Sequence, residues 1–200
     1  AVVKNRHLIC QSLNIKTRPL WLTQVHGTRV LEYNSELNMG AELKADGCYT
    51  TQTGQVCTVM TADCLPVALY NHTRDSIAVV HAGWKGLAAE IIAKGVSSLK
   101  RGELSVWLGP AIGPENFEVG DEVREAFVSK LAQHSTAFKP GKPGKWFANM
   151  YLLARQQLEN LGVTQIFGGE YCTYRDSSQF YSYRREQITG RMATLVWLDP

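Results

Sequence analysis

The chain has no long apolar run. None of its 200 residues sits in a stretch approaching the ~18 needed to span a bilayer, which argues against a membrane-spanning helix. The opening residues, AVVKNRHLIC, lack the charged-then-apolar layout of a secretory signal. Cysteines are few: Cys10, Cys48, Cys57, Cys64 and Cys172. Their number is odd, their spacing irregular, and no CxxC pair occurs, so neither a disulfide framework nor a CxxC metal site is written here. A reduced, cytoplasmic setting is expected. Blocks of like charge are missing too. The net charge is +3 with Lys and Arg scattered, which gives no ground for a nucleic-acid partner and leaves anionic small molecules open. Histidines number five, at positions 7, 26, 72, 81 and 134, and no two are separated by a single residue.

The composition, 44% hydrophobic and 20% charged, is that of a globular chain able to bury a sizeable core. No repeat or linker divides it, so one domain over residues 1–200, working as a monomer, is expected. VVKNRHLICQSL reads as a helix that begins without a Met or a cap, and residues are expected to precede Ala1. PLWLTQVHG and TRVLEY read as two strands hinged at Gly27, followed by GCYTT, VCTVM, PVALY and SIAVVH. After Gly83 the period changes: Leu87, Ile91, Ile92, Val96 and Leu99 share one helical face. SVWLG is a strand closed by Pro110. A helix starts at Asp121, a natural N-cap, with Val123, Phe127 and Leu131 on one side. KPGKPGK (139–145) is the one clear loop. A helix over about 149–161 ends at Gly162, and VTQIF and RMATLVWL are strands. Strand-rich blocks with a few helices between them predict an α+β fold: mixed sheets packed together and flanked by helices.

Three segments place a metal-capable or nucleophilic side chain at a strand end beside Gly or Pro: QVHG (His26), TADCLP (Cys64) and VVHAGWKG (His81). Such positions let a side chain leave the sheet while staying rigidly held. Two imidazoles and one thiolate suit zinc, with a fourth position left for water. The three are far apart in sequence, and each has a plainer reading, a structural hydrogen-bonding His or a buried apolar Cys. Residue chemistry alone leaves both open. Cys172 and His72 are the conceivable fourth ligands. Asp63 and Asp46 are the carboxylate candidates for general acid/base work near these segments; Asp63 is as readily a supporting group as a proton shuttle, and Asp46 in KADGCY could be a plain Asp-Gly turn.

The segments QVHGTRV, ADGCYT, VMTADCLPVALYN, VVHAGWKGL, WLGPAIGPENFEVGDEV, IFGGEYCTY and FYSYRREQITGRMA closely resemble the YfiH-like family, also called the laccase-domain or polyphenol-oxidase family. Some of its members are described as purine nucleoside phosphorylases. The resemblance spans nearly the whole chain and is nearest to proteobacterial members. It implies that His26, Cys64 and His81 are metal ligands; Asp63, directly before Cys64 in sequence, is expected beside them in the catalytic group. It also implies a zinc-dependent phosphorylase acting on adenosine, inosine, guanosine and methylthioadenosine, with adenosine deaminase activity. Purine nucleoside and orthophosphate are then the partners. Lys85, Arg175, Arg184, Arg185 and Arg191 are the candidates to hold phosphate or nucleoside, and Trp84, Phe180, Tyr181 and Tyr183 to stack on a purine. Two departures stand out. The family's usual N-terminal segment is missing here, and its HAGWRG reads HAGWKG, so Lys85 keeps the charge but loses the bidentate fork of Arg.

Two other functions compete. Copper can enter a His2Cys site, which allows a laccase-like oxidation of phenols, but five histidines without His-x-His cannot build a trinuclear copper cluster in one chain. A cysteine or metal hydrolase editing peptidoglycan precursors would use Cys64 as nucleophile and His81 as its base.

Overall fold

The computed structural model describes residues 1–38 and 42–199. The expected α+β architecture holds. In chain order the elements are α1 (Val2–Ser12), β1 (Val30–Glu32), β2 (Gly47–Thr50), β3 (Cys57–Thr61), β4 (Leu65–Asn71) and β5 (Ser76–Ala82). Then come α2 (Trp84–Ala88), α3 (Ile91–Ser98), β6 (Leu104–Leu108), β7 (Glu118–Gly120), α4 (Asp121–Val128) and a 3-10 turn over Ala132–Ala137. The chain ends with β8 (Phe138–Pro140), β9 (Lys145–Ala148), α5 (Met150–Asn160), β10 (Gln165–Gly168), α6 (Tyr183–Glu186) and β11 (Met192–Val196).

The main sheet has the order β1-β2-β5-β4-β6-β10. Its outer pairs are parallel and its inner pairs antiparallel. The ribbon β3–β11 packs on one face, helices α2, α3 and α5 on the other, and β7, β9 and β8 form a small sheet beside α4. Strand β5 lies between the layers, and all seven residues of SIAVVHA are buried. Ala78, Val80 and Ala82 enter the helix-side core while Ile77 and Val79 enter the ribbon-side core, as expected of a strand covered on both faces. His81 continues the Ile77–Val79 phase, so an imidazole ends a run of apolar side chains on the ribbon side.

Between β3 and β4 the chain crosses from the ribbon to the main sheet through Ala62, Asp63 and Cys64, with Asp63 in the left-handed region at φ +87°. Strand β2 pairs with β5 in the register Gly47↔Val80. One step further Asp46 stands opposite His81, whose N–H donates to the Asp46 carbonyl at 2.7 Å. Asp46-Gly47 is thus the entrance to a strand rather than a turn, and a Cβ on Gly47 would lie 2.8 Å from Val80 Cγ1.

Three expectations need correction. Residues 19–27 form no regular strand, only isolated bridges at Leu20 and Thr23. The N–H groups of Val25, His26 and Gly27 go instead to the side chain of Asp46, so no ladder can use them. The helix expected after Gly83 is broken at Glu90, which takes φ +68°. The Leu87 carbonyl, which a continuous helix would give to Ile91, accepts from Glu90 N–H and from the Gln157 amide. The apolar face survives the break, with Leu87, Ile91 and Ile92 fully buried. Asp121 is not the cap but the first residue of α4, following Gly120, and its carboxylate accepts the Trp146 indole N–H at 2.7 Å. KPGKPGK, expected as a loop, forms the end of the β8–β9 hairpin: Lys139, Pro140 and Lys145 are strand residues and 141–144 the turn, with Gly144 at φ +72°.

Candidate metal centre

His26, Cys64 and His81 come together at the end of β5, their donor atoms all within 4.8 Å of one another. His26 sits in the turn before β1, Cys64 in the crossing between β3 and β4, and His81 at the penultimate position of β5. The imidazole rings of His26 and His81 meet edge to face at 4.8 Å between centroids, and Cys64 Sγ lies 3.8 Å from His26 Nε2. His81 is buried, Cys64 half-buried and His26 exposed, so the group opens to solvent on the His26 side.

One carboxylate holds this arrangement. Asp46, 0% exposed, accepts from the N–H groups of Val25 (3.1 Å), His26 (2.8 Å) and Gly27 (2.7 Å). It also pairs with His81 Nδ1 at 2.8 Å. His26 takes φ +59°, a conformation that side chains other than glycine rarely adopt and that clusters where a site over-determines it.

The electrostatics follow from these contacts. Burial alone would push the Cys64 thiol up, but the two imidazoles outweigh it and bring it down to about 7. Burial alone would push His81 down; its hydrogen bonds to Asp46 and Cys64 outweigh that and lift it to about 9. Asp46, penalised by burial, is held below the usual carboxylate range by His81 and by the Gly27 and Val25 N–H groups. A thiolate and two imidazoles are a fitting set for zinc or copper. Gly83 keeps the approach clear, because a Cβ there would lie 2.9 Å from both Cys64 Sγ and His26 Cδ2.

The other sequence-predicted residues fall into two groups. Asp63 is occupied: its carboxylate accepts from Thr173 Oγ1 at 2.6 Å and from the Arg184 N–H at 2.7 Å. Arg175 forms a two-pronged pair with Asp176. Arg185 donates to the carbonyls of Thr173, Tyr174 and Phe180 and to Glu186, so it braces the C-terminal block. The Arg184 guanidinium donates to the Glu118 carbonyl and lies over the Phe117 ring. Lys85, by contrast, is exposed on α2 with Nζ 5.7 Å from the Trp84 ring. Arg191 is exposed beside Tyr183 and, among the described residues, bonded to the neighbouring Thr189 and Gly190 carbonyls. Trp84 packs half-buried against the helix-side core, Phe180 stands edge-on to Tyr171, and Tyr181 and Tyr183 are exposed.

Neither conceivable fourth ligand joins the group. Cys172 Sγ accepts from Gly113 and Arg175 N–H, and His72 pairs with Ser105 Oγ at 2.7 Å. The carboxylate that organises the centre, Asp46, was legible only as a turn residue or a proton shuttle. Gly83 carried no signal beyond its place after His81.

Residues 1–199 match the family described as multi-copper polyphenol oxidoreductase laccase. Purine nucleoside phosphorylase YfiH of Escherichia coli (strain K12) is 47% identical over 199 residues, covering 98% of this chain and 81% of the relative. A purine nucleoside phosphorylase of Haemophilus influenzae is 42% identical over 203 residues, covering 100% and 82%. Among solved structures, a Neisseria meningitidis protein superposes with a TM-score of 0.92 at 38% identity, covering 100% of this chain and 82% of that one. YlmD from Geobacillus stearothermophilus gives 0.92 at 27% identity, covering 100% and 80%.

Proposed function

Because the chain belongs to the multi-copper polyphenol oxidoreductase laccase family, we propose that it is a zinc-dependent purine nucleoside phosphorylase with adenosine deaminase activity, working as a single-domain monomer in the cytoplasm. The observation that carries the metal part is the convergence of His26, Cys64 and His81 around a space that Gly83 leaves free. The substrate part is taken from relatives named purine nucleoside phosphorylase. His26, Cys64 and His81 would hold the ion. Bound there, zinc would act as a Lewis acid towards a substrate oxygen or lower the pKa of a water towards ~7. Lys85 and Arg191, which make no ion pair among the described residues, would hold orthophosphate. Trp84 and Tyr183, beside these two cations, would flank a purine. The buried His81 and Asp46 would keep the donors in place without turnover of their own protons.

The family description speaks of several coppers, yet the three remaining histidines are placed elsewhere. His7 is on α1, His72 bonds Ser105, and His134 pairs with Gln156. Copper in the His26–Cys64–His81 group therefore supports at most a one-site oxidation as a side reaction. A second reading has a specific observation in its favour: Asp46, His81 and Cys64 form a line of groups such as activates a nucleophilic cysteine. Chelation and alkylation separate the two readings. A metal enzyme loses activity in chelator, while a cysteine hydrolase keeps it and dies on alkylation.

The primary test is elemental analysis of the purified protein together with a phosphate-dependent assay following adenosine, inosine and free base separately. Near-stoichiometric zinc and phosphate-dependent release of free base are expected, and His81→Ala should remove metal and nucleoside cleavage together. Full activity in a metal-free His81→Ala variant would sink the mechanism.

A further inference from the structure

We infer that Asp46 is the positioning residue of this centre, a single carboxylate that holds both imidazole ligands and so sets how tightly the ion is bound. The inference rests on the metal reading above. Oδ1 of Asp46 receives the His26 N–H and His81 Nδ1, each at 2.8 Å. Oδ2 receives the N–H groups of Gly27 at 2.7 Å and Val25 at 3.1 Å. Each oxygen thus takes two donors, and the side chain is 0% exposed. A carboxylate filled in this way has no lone pair to offer a substrate proton, so the proton-shuttle role open to it in sequence is set aside.

Its hold on each ligand differs. On His81 it engages Nδ1 and leaves Nε2 turned towards Cys64 as the nitrogen for the ion, fixing the ring's direction; a carboxylate in that place also makes an imidazole a stronger ligand. On His26 it acts through the backbone. Three consecutive N–H groups, residues 25 to 27, close around the carboxylate like a nest, and this turn is what puts His26 at φ +59°. The two ligands are 55 positions apart in the chain, but they share one oxygen atom of Asp46. Moving that oxygen moves both.

The substitution Asp46→Asn is nearly isosteric and isolates the effect. An amide offers one acceptor oxygen and one NH2, so in either orientation two of the four N–H donors face another donor. Zinc affinity, measured by competition with a chromophoric chelator on the full chain, should weaken about 10–100-fold, as for other lost supports of a metal-ligating His. Phe127→Leu, in the helix-side core, controls for loss of stability alone and should leave the affinity close to wild type. An Asp46→Asn affinity within twofold of wild type overturns the inference. A second readout does not depend on the variant folding. In 15N-histidine-labelled wild-type protein, His81 should show a slowly exchanging Nδ1 proton, and its absence would overturn the inference as well. If wild-type protein takes up no metal while that proton is present, the metal reading fails and the hold of Asp46 on His81 stands.

Discussion

At each end of the β4–β5 hairpin lies a fully buried polar side chain that gathers loops. One is on the hairpin itself and one at the entrance to the strand beside it, and the two are used differently. At the turn end is Asn71, 0% exposed. Its carbonyl accepts from Thr73 and Arg74 N–H, and its amide donates to the Leu99 and Lys100 carbonyls. Every partner is backbone, and the product is architecture: the hairpin turn is tied to the end of α3. At the open end is Asp46, also fully buried, whose partners include an imidazole and the turn that carries a second one. The neutral knot stops at the main chain, whereas the charged one ends on groups that could hold a metal ion. Space points the other way. A cleft of about 480 Å³ lies at the Asn71 end, lined by Lys100, Gly102, Leu104, Gly162 and Gln165, far along the strands from the His–Cys–His group. Buried chemistry, not cleft volume, marks the candidate site here.

The largest effect that could break this contrast is at Gly83. An Ala there would push a Cβ against Cys64 and His26 and should weaken zinc binding about 100-fold, the upper end for a disturbed ligand support, with a thermal melt of the metal-free protein little changed. Unaltered affinity by chelator competition would mean the space before Gly83 is not where the ion sits. Asn71→Ala should do the reverse. Stranding buried backbone groups costs about 1–3 kcal/mol, read as a lower denaturant midpoint, and metal content should not change. Loss of metal in Asn71→Ala would show that the two ends are coupled.

A smaller effect sharpens the charged end. In protein stripped of metal, iodoacetamide should modify Cys64 with a rate that falls about tenfold per pH unit below its midpoint, because only the thiolate reacts. The folded thiol is lowered to about 7 from 9.0, so the rate should level off above about 7 rather than keep rising to 9. His81 stays protonated until about 9, so the imidazolium that favours the thiolate is present across this range. Mass spectrometry should find Cys48 and Cys57, both fully buried, unmodified. A midpoint near 9 would dissolve the electrostatic link between Cys64 and its imidazoles.

Sequence reasoning went furthest where one property decided the outcome. β2 to β6, α5, β10 and β11 were readable within a residue or two, because alternation or a continuous apolar run dictates a strand and Asn149 caps α5 through the Leu152 N–H. It failed where a distant side chain overrode the local pattern. Asp46 captured the N–H groups of 25–27 and dissolved an expected strand, and Gln157 took the Leu87 carbonyl where an expected helix broke. The same limit applies to the site. His26, Cys64 and His81 were visible as residue types at strand ends, but their convergence depends on the register Gly47↔Val80 and on the crossing at 62–64. The arginines show it in reverse, since nothing in FYSYRREQITGR says that Arg185 reaches the carbonyls of Thr173 and Phe180 while Arg191 bonds those of its own neighbours.

The clasp on Asp63 bears on the order in which the molecule can be finished. His26, Asp46, Cys64 and His81 all lie between positions 26 and 81, so a growing chain carries the whole donor set well before residues 173–184 have been made. The corner next to Cys64, however, is fastened by Thr173 and by the Arg184 N–H, 110 and 121 residues downstream. Contacts of such separation form late and at a high loop-closure cost. A ribosome-bound chain stopped before Thr173 would display two imidazoles and a thiol on a loose corner, able to pick up metal ions without the geometry that selects among them. Any choice among ions therefore waits on the segment from Thr173 to Arg184, which acts as the catch that fixes the corner beside Cys64.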